Sequence, residues 1–362
     1  MTTVVSFQTA LEMAAQYKKK HLLLGNGFSI ACDPSIFTYR SLYEQAQQTH
    51  FLGIPEAAQM FEVFDTKDFE IVIRALEDAS KTLPVFDPSM QHTADKMESQ
   101  AGELKTALVC AIADNHPDVP NHIADEKFWA CRRFLSHFLN AENDGKVYTL
   151  NYDLLLYWAA LHDDPPFSEP LSLTINDGFG RGDLGDSTGY VTWQGESNAR
   201  DQRIHYLHGA IHLFDSGSDL KKYTWRDNGV PILTQARTAM EQDMFPLFVA
   251  EGSSEQKLTK IKHSAYLYHS YKSFSAQMEV KGQALFIFGH SFSDNDDHVL
   301  RKISEGKVEH LFVSVLGSMD EINKRLFIER VNVVARQRNE NTPLGVTFFD
   351  ADSANIWGQV YD

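Results

Sequence analysis

Short, uninterrupted apolar runs alternate with amphipathic stretches along the chain. His21-Leu22-Leu23-Leu24 carries no polar alternation and ends at a glycine, the pattern of a strand buried on both faces of a parallel sheet. Similar runs recur at Val147–Leu150, Ile204–Leu207, Leu247–Ala250, Leu285–Phe288, Leu311–Val315 and Val346–Phe349, with further candidate strands at Leu171–Ile175 and Tyr190–Trp193. Helical spacing occupies the intervals: Phe7–Tyr17, Tyr39–Gln48, Asp153–His162, Glu255–Phe274, Asp296–Ser304 and Met319–Arg338. Apolar strands alternating with helices predict an α/β fold, a Rossmann-like, doubly wound, mostly parallel sheet.

One block breaks the alternation. Residues 60–145 are poor in strand signals, and Ile71, Ile73, Leu76 and Leu104, Leu108, Ile112 fall on helix faces. Phe86-Asp87-Pro88 and His116–Pro120 read as loops within it. The expected organisation is a first part of the core over 1–59, a helical insertion over 60–145, and the remainder of the core over 146–362. A stretch at 176–189 carries five glycines (178, 180, 182, 185 and 189) and reads as a loop or a flap over a site.

Composition narrows the function classes. Thirty-three Lys and Arg against forty-nine Asp and Glu give a net charge of −16. A surface that acidic repels nucleic acid and anionic membranes, and no basic patch beyond Lys18-Lys19-Lys20 offsets it. Cys32, Cys110 and Cys131 are widely spaced, which excludes a disulfide scaffold and a cysteine-rich zinc module and suits a reducing compartment. No apolar run approaches the roughly 18 residues of a membrane span. The N-terminal basic residues follow the first apolar stretch, unlike a signal peptide, so a cytoplasmic protein is expected.

Four motifs carry candidate chemistry. Gly25-Asn26-Gly27-Phe28-Ser29 follows the first apolar strand and could let a phosphate approach backbone N–H groups; with Ile30 in place of a third glycine, a plain tight turn is an equal reading. Thr149-Leu150-Asn151-Tyr152-Asp153 puts polar side chains at a strand's carboxyl end, where they face a ligand crevice or cap the next helix. His208-Gly209 presents an imidazole at a strand tip, or a structural histidine. On a strand His205 and His208 would face opposite sides, and no companion cysteine or carboxylate completes a set with His212, so no metal is expected. Phe286 to Asp297 ends a buried strand in Gly289-His290-Ser291 and opens a helix with an acidic cluster. Gly289 and Ser291 sit where a phosphate or ribose could lie, and the acids complement the helix dipole.

In this order the motifs resemble the sirtuin family, and most closely its bacterial branch of NAD hydrolases that act in defence against phage. Asp68-Phe69-Glu70, Asn151-Tyr152-Asp153, Phe248–Lys257, Gly289–Asp294 and Phe348-Phe349-Asp350-Ala351 are similar to segments of that branch, and the likeness spans Leu22 to Trp357. Asn26 stands where deacylase sirtuins usually have alanine, and their four-cysteine zinc module is missing.

The resemblance implies NAD as substrate, cleaved between nicotinamide and ribose. Asn151 would hold the nicotinamide ribose and the attacking water, and His208 would accept a proton. Gly25, Asn26, Gly27, Phe28 and Ser29 would wrap the pyrophosphate. Gly289 and Ser291 would line the adenosine side, Asp350 would lie near the adenine, and Asp153 would orient Asn151 or cap its helix. It also implies a latent effector, a homo-oligomer, and a partner such as a DNA-translocating ATPase. Two alternatives stand beside it: a non-catalytic sensor or scaffold for NAD or ADP-ribose, which shares every binding motif, and a protein ADP-ribosyl or deacyl transferase.

Overall fold

The computed structural model describes residues 3–49, 56–166, 169–180, 190–195, 201–216, 219–224, 229–242, 244–250, 252–317 and 320–358. Its strands are β1 (Val4–Val5), β2 (Lys19–Leu24), β3 (Val147–Thr149), β4 (Tyr190–Thr192), β5 (Ile204–Tyr206), β6 (Gly209–Asp215), β7 (Leu220–Tyr223), β8 (Pro246–Phe248), β9 (Gln283–Phe288), β10 (His310–Val315) and β11 (Gly345–Asp350). Seven of them form one sheet in the order β1-β11-β10-β9-β2-β3-β5, with every pairing parallel. The expected Rossmann-like α/β architecture is present.

Burial explains why the runs are unbroken. Leu22 and Leu24 enter one hydrophobic cluster and Leu23 the opposite one, and β9 repeats this with Phe286 and Phe288 against Leu285 and Ile287. Both sheet faces are covered, so successive side chains must all be apolar. From β2 the chain runs to β3 and β5 on one side, then returns to build β9, β10 and β11 on the other. The strand order therefore reverses beside β2, and in open parallel sheets the crevice at the carboxyl ends there is where ligands bind.

The strand-poor block is helical: Ala57–Val63, Phe69–Phe86, Gln91–Asn115 and Asp125–Leu139. Its last helix belongs to the sheet layer, with Phe134 against Phe288 (6.0 Å between ring centroids) and Phe138 against Phe286 (5.2 Å). Three local expectations differ. Leu171–Ile175 is no strand: Ser172 turns at φ +49, and a single bridge joins Leu173 to Asn140. The long helix after Ser254 is two, Ser254–His263 and Ala265–Met278, because Ser264 leaves helical geometry and caps the second. A second, antiparallel sheet has the order β4-β7-β6-β8: β4 and β8 fall on the expected strands Tyr190–Trp193 and Leu247–Ala250, while β6 and β7 were not expected, the two lysines of Leu220-Lys221-Lys222-Tyr223 breaking the apolar signal of β7. Of the glycine-rich stretch, Gly178 and Gly180 are described, while Gly182, Gly185 and Gly189 lie outside the described residues. Among the described residues no helix is long and apolar enough to cross a membrane.

At the reversal point two turns touch backbone to backbone. A Cβ on Gly27 would lie 2.5 Å from Gly289 Cα, and a Cβ on Gly289, whose φ is +68°, would lie 2.5 Å from Gly27 Cα. Gly27→Ala or Gly289→Ala should therefore cost about 2 kcal/mol or more in urea unfolding. Gly102→Ala, in a helix with nothing within 4 Å of the added carbon, should stabilise by roughly 0.5–1 kcal/mol. Equal effects at the three sites would contradict this reading of the turn contact.

Candidate functional site

Polar residues from five separate segments meet at the carboxyl end of the central strands. They line a cleft of about 130 Å³, open to solvent, that includes Asn151, His208, Glu70, Lys257, Asp296 and the turn Gly289-His290-Ser291. Asn151 follows β3 and His208 follows β5, which are neighbours in the sheet. Thr149 Oγ1 accepts the Asn151 N–H at 3.0 Å, and the Asn151 amide nitrogen donates to Gly25 O (3.1 Å) and Ser29 Oγ (2.8 Å). With its nitrogen anchored to the first turn, Asn151 keeps its Oδ1 as the acceptor for a ligand. Ser29 Oγ donates to Asp153, which also accepts the Leu155 N–H at 2.9 Å. Burial raises the Asp153 pKa against those hydrogen bonds. Asp153 thus orients Asn151 through Ser29 and caps the following helix.

The glycine turn has a different local role from a phosphate cradle. Gly25 N donates to Phe288 O, Gly27 N to Gly289 O, Phe28 N to Gly25 O and Ser29 N to Asn26 O, leaving the Asn26 N–H outside these bonds. Phe28 is buried against Trp357, at 5.0 Å between ring centroids. Of the expected pyrophosphate residues, Gly25 and Asn26 line the cleft, Gly27 lines an adjoining compartment, and Phe28 and Ser29 act from behind.

That compartment offers about 680 Å³, is open to solvent and is largely apolar, with Leu316, Leu326, Phe327, Ile356 and Trp357 in its wall. Tyr39, Gly289, His290 and Ser291 line both spaces, so the two adjoin at the 289–291 turn. Asp350 accepts the Asp352 N–H at 3.3 Å, and Asp352 lines the compartment.

An ionic network forms the cleft's floor. Lys257 Nζ, 1% exposed, lies 2.7 Å from Glu70 Oε2 and 3.1 Å from Asp296 Oδ1. His290 Nε2 lies 3.1 Å from Asp296 Oδ2. Burial opposes the Asp296 charge, but the Lys257 ammonium and the His290 hydrogen bond outweigh it and hold this carboxyl well below its ordinary value. Glu70 goes the other way. Burial, aided by the charges of Asp296 and Asp68 and opposed by Lys257, lifts it to about 7. One ammonium cannot fully compensate two adjacent carboxylates.

His208 stacks near Tyr152 (6.4 Å) and places Nε2 3.0 Å from His298 Nε2 and 3.9 Å from Asp296 Oδ1. Burial, then the Lys257 charge, drives its pKa well below 6.5, so it is a neutral imidazole at pH 7. His205 and His212 do not join it. His205 is buried beside Ser270 and Ser273, and His212 between the rings of Tyr157 and Tyr206.

Sequence reasoning brought Asn151, His208 and the 289–291 turn to one place. As site residues it missed Lys257, Glu70, Asp296 and His298. Glu70 and Lys257 lie in quoted segments, but nothing within either segment shows that the two charges turn inward to meet. Residues 22–357 match the family described as a domain of unknown function, DUF4917. No curated protein matches the chain.

The Glu70 shift has a stability signature. Its folded value, about 7, exceeds the ordinary 4.5, so the folded state binds more protons between those values and stability falls as pH rises through them. Thermal melts should show the wild type losing ground to Glu70→Gln from about pH 4.5 to 7. Parallel curves for the two proteins would contradict the shift.

Proposed function

The chain belongs to the DUF4917 family, and from its cleft we propose that it hydrolyses NAD at the bond between nicotinamide and ribose, yielding nicotinamide and ADP-ribose. The choice of NAD comes from the resemblance to sirtuin-like NAD hydrolases. The observation that carries the reading is the convergence of Asn151 and His208, from neighbouring strand tips, on a polar cleft that adjoins an apolar compartment at Gly289–Ser291. A dinucleotide needs both environments: a polar seat for the reacting ribose and an apolar one for the adenine.

Nicotinamide in NAD is a cationic pyridinium. When its bond to the sugar carbon breaks, the electron pair goes to the ring nitrogen and the leaving group departs neutral, with no general acid required. The sugar is left as an oxocarbenium-like cation. Asp296, ionised beside His208, supplies negative potential to that charge. Asn151 Oδ1 accepts a hydrogen bond from a ribose hydroxyl or from the attacking water. Water adds to the sugar carbon and its proton passes to His208, which is neutral and therefore able to accept it. The imidazolium formed lies 3.9 Å from Asp296, an electrostatic partner for the new charge.

Product chromatography after incubation with NAD tests the reading. Nicotinamide and ADP-ribose should appear together, and Asn151→Ala and His208→Ala, checked for folding by circular dichroism, should each lower the rate by about 100-fold or more. Wild-type turnover in both folded variants would overturn the assignment. Stoichiometric NAD binding with no product under any condition would favour a sensor.

A further inference from the structure

A contact between cleft-lining His208 and the buried His298 behind it goes beyond what hydrolysis requires. His208 and His298 meet Nε2 to Nε2 at 3.0 Å. Asp296 Oδ1 lies 3.9 Å from His208 Nε2, and one ligand atom from each of the three residues falls within 4.8 Å of the others. Two imidazoles in this arrangement either share one proton or direct two lone pairs at a common point. We propose that His208, His298 and Asp296 bind a first-row divalent transition metal, with zinc as the reference ion, and that occupancy withdraws the His208 lone pair from proton transfer. The inhibitory half of this rests on the hydrolase reading; metal binding does not.

The donor set suits that class of ion. Two imidazoles and one carboxylate match zinc and its neighbours, whereas magnesium and calcium prefer all-oxygen sites. Ligands about 2.0–2.1 Å from a tetrahedral ion stand about 3.3 Å apart, and the observed 3.0 and 3.9 Å straddle that separation. The third pair, His298 and Asp296, lies within 4.8 Å, so the carboxylate and an imidazole must draw together on binding.

The histidine missing from the sequence reading is the best held of the three. Ser254 Oγ lies 3.1 Å from His298 Nδ1 and accepts the His298 backbone N–H at 2.6 Å, while Tyr271 OH donates to His298 O at 2.9 Å. A proton on Nδ1 facing Ser254 leaves Nε2 as the ligand, the outer-shell arrangement that orients metal-binding histidines. Asp296 keeps its other oxygen on His290. Three protein ligands, of which His208 and Asp296 line the open cleft, leave a fourth position for water. Lys257, 3.1 Å from Asp296 Oδ1, repels a dication, and Glu70 remains as its counter-ion. The affinity expected is accordingly micromolar.

Equilibrium dialysis of the full chain against Zn²⁺ tests binding without reference to NAD. One ion per chain is expected. Affinity should fall at least about tenfold in His298→Ala and in Asp296→Asn, and should be unchanged in His263→Ala, an exposed histidine. Since a variant could fail to fold, Co²⁺ titration of the wild type supplies a second readout: the intense visible absorption of a low-coordinate site, abolished by Zn²⁺. No stoichiometric zinc, unchanged binding in folded His298→Ala, or only the weak spectrum of octahedral Co²⁺ would overturn the site. Turnover untouched by saturating zinc would overturn the inhibitory half. A chain that binds zinc in this way but never releases nicotinamide would refute the hydrolase reading and leave the metal site standing.

Discussion

The cleft depends on two turns that can lie side by side only because neither has a side chain at the contact. Gly25 and Gly27 end the central strand and Gly289 ends its neighbour, with backbone atoms closer than a Cβ permits. The contact sits where the strand order reverses, so the loops on either side of it diverge and leave a crevice. It also explains the Gly-x-Gly pattern without a phosphate: four of the five N–H groups from Gly25 to Ser29 are bonded within the protein. The glycines build the seam, and Asn151, anchored on Gly25 O, is aimed by it.

A buried ammonium organises the electrostatics around that seam. Lys257 bridges the helix that begins at Phe69 and the acidic turn after β9, joining the helical block to the sheet. Its charge keeps Asp296 ionised yet leaves Glu70 near neutrality, so two carboxylates on one cation differ in protonation. Such a split between neighbouring acids accompanies acid–base chemistry in many sites. Around them His208 and His298 stay neutral because burial outweighs the nearby carboxylate.

The sheet was readable from the chain because burial on both faces leaves no polar alternation, as in Leu22-Leu23-Leu24 and Phe286-Ile287-Phe288. The strand tips were readable for the same reason: Asn151, His208 and Gly289 are where apolar runs stop. What escaped depends on long-range pairing. Lys257 looks like a solvent-facing lysine in a polar helix until Glu70, 187 positions away, meets it. His298 stands 90 positions from His208, and no local spacing announces that they touch. In the second sheet β4 and β8 were legible as apolar runs, whereas β7 escaped because Lys222 is buried through an ion pair with Asp177, a partner absent from its own segment.

In the proposed hydrolase the nicotinamide ribose lies between Asn151 and His208 while the adenine at the other end of the dinucleotide occupies the apolar compartment. A crystal structure with ADP-ribose bound tests it most directly. The account predicts the terminal ribose within hydrogen-bonding distance of Asn151 Oδ1 and beside the His208 imidazole, with the diphosphate passing Gly289–Ser291 and the adenine near Trp357. ADP-ribose seated away from both residues, or none bound at saturating concentration, would contradict it.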